Sequence, residues 1–115
     1  PLARIHPSLR EQLLGVDPID VRFLEINAKP CTDKRRITFQ IRILPFNQAP
    51  SLEFLIIGNQ DSILSEVTIV ETQDNEIEFT MHIPEKEYVD PLSFHAIIKY
   101  EDLGIVDTRT IAFVV

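Results

Sequence analysis

Apolar and polar side chains alternate at every second position along most of this chain, and that period of two commits it to β-strands. Ile37, Phe39, Ile41 and Ile43 alternate with Thr38, Gln40 and Arg42. Ile77, Phe79, Met81 and Ile83 alternate with Glu78, Thr80 and His82, and Leu92, Phe94, Ala96, Ile98 and Tyr100 with Ser93, His95 and Lys99. Successive side chains of a strand point to opposite faces, so each run buries one face and wets the other. These three runs (35–44, 76–83 and 92–101) and four less regular ones (21–29, 52–57, 63–70 and 106–115) predict seven strands. Their boundaries carry Pro30, Pro45, Pro50, Gly58-Asn59, Asp74-Asn75, Pro84, Pro91 and Gly104, residues whose stereochemistry suits turns.

Residues 1–19 follow another pattern. Ser8-Leu9-Arg10-Glu11 fits the capping box that opens a helix, and Gly15 stands where it would stop after Leu14. A helix of about six residues is marginal alone, so it needs a surface to dock on. Asp17-Pro18 returns the chain to extended backbone. The expected organisation is an N-terminal segment with a short helix, residues 1–19, and one β domain, residues 20–115. A length of 115 residues suits a single core.

Seven short strands joined by turns predict an all-β fold, a seven-stranded antiparallel β-sandwich. In strand number and spacing, residues 20–115 resemble the immunoglobulin-like and fibronectin type III-like superfamily. The resemblance implies the first, second, fifth and fourth strands in one sheet and the third, sixth and seventh in the other. The chain departs from the antibody pattern in having no Trp and one Cys, so no disulfide joins its sheets. Tyr88 stands near the place of a tyrosine corner before the sixth strand. So general a likeness transfers no functional residue.

Charge and motif narrow the function classes. A net charge of -7, from 18 acidic against 11 basic residues, repels phosphate backbones and anionic membranes, which argues against a nucleic-acid partner. No apolar run approaches the roughly 18–20 residues of a membrane span, and the N-terminus lacks a signal-peptide core; a cytoplasmic location is expected. One cysteine cannot build a four-cysteine zinc site. His82 and His95 fall at outward phases of opposite sheets, and His6 has no ligand at useful spacing, so no metal or other cofactor is expected. Ser93 and His95 share a strand face but lack an acidic orienter and a G-x-S-x-G elbow. Cys31 lies beside Asp33, Lys34 and Arg35 with no His base near in sequence. The reading is of a protein that is not an enzyme.

Two binding modes remain. Acidic loops carrying Asp33, Asp61, Glu85, Glu87 and Asp90 fall at one end of the implied sandwich and offer part of a calcium shell; a calcium- or carbohydrate-binding module is the alternative reading. In the basic cluster Lys34-Arg35-Arg36 with Arg42, parity sends Arg36 and Arg42 to the outer face, opposite Glu76, Glu78 and His82 of the fifth strand, so a cross-strand charge ladder is expected. The more telling feature is an asymmetry between the sheets. With Leu52, Phe54 and Ile56 facing the core, Leu55 and Ile57 face out; Ile97 does the same on the sixth strand. With Ile111 and Phe113 inward, Ala112 and Val114 face out. Leu55, Ile57, Ile97, Ala112 and Val114 are therefore expected to form a contiguous apolar patch, larger than monomers usually expose. Its cover is either the chain's own Leu2, Ile5, Leu9, Leu13 and Leu14 or another protein, a second copy in a homodimer included. The expected function is a protein-interaction or assembly module.

Overall fold

The computed structural model describes residues 15–58, 61–84 and 90–115. Within them lie seven strands: β1 (Phe23–Pro30), β2 (Arg36–Ile43), β3 (Ser51–Ile57), β4 (Ile63–Ile69), β5 (Glu76–His82), β6 (Leu92–Tyr100) and β7 (Gly104–Phe113). A 3-10 turn, Pro18–Asp20, precedes β1. All pairings between strands are antiparallel. One sheet has the order β1-β2-β5, and the other has the order β4-β3-β6-β7.

The alternation read in the sequence sets the inner faces. Ile37, Phe39, Ile41 and Ile43 of β2 are buried, as are Leu52, Phe54 and Ile56 of β3 and Leu92, Phe94, Ala96 and Ile98 of β6. The rings meet between the sheets. Phe39 stacks on Phe94 with centroids 3.9 Å apart and planes 13° from parallel, and Phe54 stacks on Phe94 at 5.7 Å. Phe79 lies 4.6 Å from Phe54, and Phe113 meets Phe39 edge-on at 5.9 Å. Ring pairs at such spacings add to the stabilisation from area burial. The column pins the two sheets together in a chain with no Trp and one Cys.

The fourth strand departs from the expected arrangement. It pairs with β3 rather than joining β1, β2 and β5. The connection 58–62 is of hairpin length and is closed by the Gly58 N–H donating to the Ser62 carbonyl at 2.9 Å. A short return keeps β4 on the ladder it has just left, whereas joining the other sheet would carry it across a core about 10 Å thick. The longer connection after β4 makes that crossing instead.

The expected helix over 9–14 lies outside the described residues. Gly15 takes a left-handed φ of +82°, and a Cβ there would stand 2.3 Å from the Phe46 carbonyl carbon. Its requirement is therefore for close approach to the loop between β2 and β3. Next to it, the Val16 N–H donates to the Pro45 carbonyl at 2.8 Å and the Asn47 N–H donates to the Val16 carbonyl at 3.1 Å. Residues 16–17 thus belong to the body of the β domain, on the near side of the boundary expected at residue 20. Tyr88 also lies outside the described residues. Among the described residues, the Tyr100 hydroxyl ties back to the main chain, donating to the Gln48 carbonyl at 2.8 Å.

Candidate functional site

The outer face of the β4-β3-β6-β7 sheet is built in rows. Ile63, Ile57, Ser93 and Ala112 are in register, then Glu66, Leu55, His95 and Thr110, then Thr68, Glu53, Ile97 and Thr108. Leu55, Ile57 and Ile97 point outward and are half-buried by their neighbours, while Ala112 is exposed. Val114 lies just beyond β7 and is 63% exposed.

The alkyl groups do not form the contiguous patch expected from parity. Ile63, Ile57, Leu55 and Ile97 make a diagonal band, since side chains one row apart on adjacent strands still touch. Ser93 separates Ala112 from Ile57, and His95 and Thr110 lie beside Leu55. An ion pair between Lys99 and Glu53 borders the band next to Ile97. The result is an amphipathic strip with a polar rim, the composition of an ordinary protein contact surface.

The outer face of β1-β2-β5 is polar throughout. Thr38 and Thr80 share a hydrogen bond at 3.1 Å, and the Gln40 amide donates to Glu78 at 3.3 Å. The charge pairing differs from expectation. Arg42 donates to Glu25 of β1 at 3.2 Å, and Arg36 pairs with Asp33 at 2.8 Å, so neither reaches a carboxylate of β5. The central strand has a neighbour on each side, and parity alone did not say which one its cations choose. A shallow depression of about 410 Å³ lies on this face, bordered by Glu25, Asn27, Gln40, Arg42, Glu76 and Glu78.

The acidic loops are partly spoken for. Asp33 accepts the N–H groups of Arg35 and Arg36 at 3.0 and 3.2 Å. The Arg35 N–H first, and then the Arg36 guanidinium, hold its carboxyl below the usual carboxylate range. Asp90 accepts the Val115 N–H at 3.3 Å. Asp61 sits in a left-handed turn at φ +58°. Glu85 and Glu87 lie outside the described residues, as does His6. Among the described residues, no group of three or more His, Cys, Asp or Glu is placed to hold a metal ion. His82 on β5 and His95 on β6 lie in different sheets. Ser93 and His95 share the outer face of β6, with Ile57, Leu55, Thr110 and Ala112 in register beside them and no carboxylate there. Cys31 is a free, half-buried thiol in the turn after β1.

One charged cluster was not anticipated. Asp107 and Arg109 occupy the inward parity of β7. Asp107 accepts the Phe23 N–H at 2.9 Å, and Arg109 donates to the Phe23 carbonyl at 3.2 Å. Together they satisfy the main chain of β1 across the gap between the sheets. The signal was present in the sequence, as two charges in phase with Ile111 and Phe113.

No known family model and no curated protein matches the chain. Solved structures do. The chain aligns with a β-glucuronidase of Bifidobacterium dentium complexed with coumarin-3-O-glucuronide at a TM-score of 0.62 and 12% identity, over 82% of this chain and 18% of that one. It aligns with a glycosyl hydrolase family 2 member of Bacteroides cellulosilyticus at a TM-score of 0.50 and 11% identity, over 80% of this chain and 14% of that one. The likeness shows the fold alone. The chain spans less than a fifth of the length of either enzyme. Among the described residues, no helix is long and apolar enough to cross a membrane.

Proposed function

We propose that this chain is a non-catalytic module with an immunoglobulin-like or fibronectin type III-like sandwich, and that it associates with protein through the outer face of β4-β3-β6-β7. The observation that carries the reading is the diagonal band of Ile57, Leu55 and Ile97, set in a polar rim on the outward side of the four-stranded sheet. Ala112 and Val114 extend the surface at its β7 side. That a fold of this kind occupies a small part of two longer chains is consistent with a module that works by contact with neighbours. The calcium alternative has less support, because Asp33 already binds main-chain N–H groups of its own loop and Asp90 binds the Val115 N–H beyond β7.

The test is molar mass by light scattering over a concentration series, with a second copy as the partner examined. Ile97→Lys places a cation in register with Glu53, so the sheet tolerates it while the contact does not. Self-association is expected to weaken by about tenfold, near 1.4 kcal/mol. An unchanged association constant rejects the face as the contact.

A further inference from the structure

Among the described residues four strands have no neighbour on one side, and three of those edges are obstructed. β1 carries an extra residue at Leu24, ends in Pro30, and has its main chain capped at Phe23 by Asp107 and Arg109. In β4 the register skips at Leu64, and in β7 it skips at Val106, where two inward charges follow. Bulges, prolines and inward charges are the devices by which edges avoid pairing. β5 has none of them. Glu76–His82 runs in unbroken register with β2 and contains no Pro or Lys.

The hydrogen-bond phase of that edge follows from the strand ends. The Ile83 N–H donates to the Arg35 carbonyl at 2.7 Å, and the Ile43 N–H donates to the Asn75 carbonyl at 2.9 Å. Both pairs continue the β2–β5 register. In an antiparallel ladder the bonded pairs alternate, so the odd-numbered residues of β5 bond to β2. The even-numbered ones, Glu76, Glu78, Thr80 and His82, aim their N–H and C=O groups at the free edge.

We propose that β5 pairs antiparallel with β5 of a second copy of this chain about a two-fold axis at Phe79. This register sets Glu76 opposite His82 of the partner subunit and Glu78 opposite Thr80 of the partner subunit, and forms about eight ladder hydrogen bonds. It also sets the half-buried Phe79 and Ile77 against Phe79 and Met81 of the partner subunit on the inner side, where the strand edge leaves them open. Glu76 has no ion-pair or hydrogen-bond partner among the described residues, because Arg42 opposite it is taken by Glu25. The imidazole fills that vacancy. Other registers are worse. Centring on Ile77 or Glu78 opposes carboxylate to carboxylate, and centring on Thr80 brings Glu76 to Pro84, which has no N–H to give. The contact is isologous and closes at two copies. It lies in the opposite sheet from the Ile97 surface and does not depend on it.

The experiment is amide hydrogen exchange of the full chain at low and high concentration, with molar mass measured on the same samples. A mass rising from 13.2 kDa toward twice that value is expected, with the amides of Glu76, Glu78, Thr80 and His82 slowing as it rises. Thr80→Pro removes an edge N–H without touching the β2 ladder. In a chain that also carries Ile97→Lys, so that only the β5 contact is read, it is expected to hold the mass at the monomer and abolish the slowing of the remaining even-numbered β5 amides. Glu76→Lys is expected to weaken the dimer about tenfold, and adding His82→Glu to restore it, a rescue that guards against a folding defect in the proline variant. A chain that stays monomeric, even-numbered β5 amides that do not respond to concentration, or a dimer lost with Ile97→Lys and retained with Thr80→Pro would each overturn the proposal.

Discussion

Phe39 meets three of the other rings in the core, Phe94, Phe79 and Phe113, and the contacts with Phe94 and Phe113 span the two sheets. Phe39→Ala is expected to cost about 3–5 kcal/mol, read from the midpoint of a urea titration at unchanged slope. Domains of this size hold roughly 5–15 kcal/mol in all, so the variant sits near the edge of folding. Tyr100 gives a pH-dependent case. Burial pushes its phenol up to about 12. A folded pKa above the unfolded one, near 10, favours the neutral phenol in the native state. Its contribution is therefore complete below pH 10 and fades as the pH rises toward 12. Tyr100→Phe is expected to lose about 1 kcal/mol at pH 7 with the bond to Gln48. The gap between the two melting curves is expected to narrow at pH 11.

At the scale of the strand, the β1 edge is held by side chains of β7 rather than by a neighbouring strand. Asp107→Ala strands the Phe23 N–H in a residue only 1% exposed, and a buried donor without a partner costs about 1–3 kcal/mol. Faster exchange of that one amide, alongside a lower urea midpoint, checks the assignment. Much of this element-level structure was legible beforehand. Strict alternation placed β2, β5 and β6 to within two residues and predicted which of their side chains face inward, because parity leaves a half-buried strand little choice. The partner of β4 was not legible from the strand itself. Its pattern Ile63-Leu64-Ser65-Glu66-Val67 contains a bulge that breaks the alternation, and the hairpin signal lay in the loop. The same limit applied to Arg42, whose parity gave its face but not its choice between Glu25 and Glu76. The outward positions of Leu55, Ile57 and Ile97 were legible from parity. The polar residues that break their patch were not, since they come from register between strands distant in sequence.

For the whole molecule the dominant quantity is charge. Each copy carries -7, and any self-association, through the β5 edge or the Ile97 face, brings two such charges together. With centres on the order of 30 Å apart, as for two small domains, the repulsion depends steeply on screening. The Debye length is about 30 Å at 0.01 M salt and about 8 Å at 0.15 M. Coulomb's law in water then puts the difference between the two conditions at about 2 kcal/mol, some tens-fold in the association constant. Raising salt is therefore expected to strengthen association over this range, the opposite of what a contact held by exposed ion pairs would do. Sedimentation velocity at both ionic strengths measures it directly. Association that weakens with salt would mean that local attraction, such as Glu76 to His82 of the partner subunit, outweighs the global repulsion. In that case replacing His82 with Gln should return the salt dependence to the expected sign.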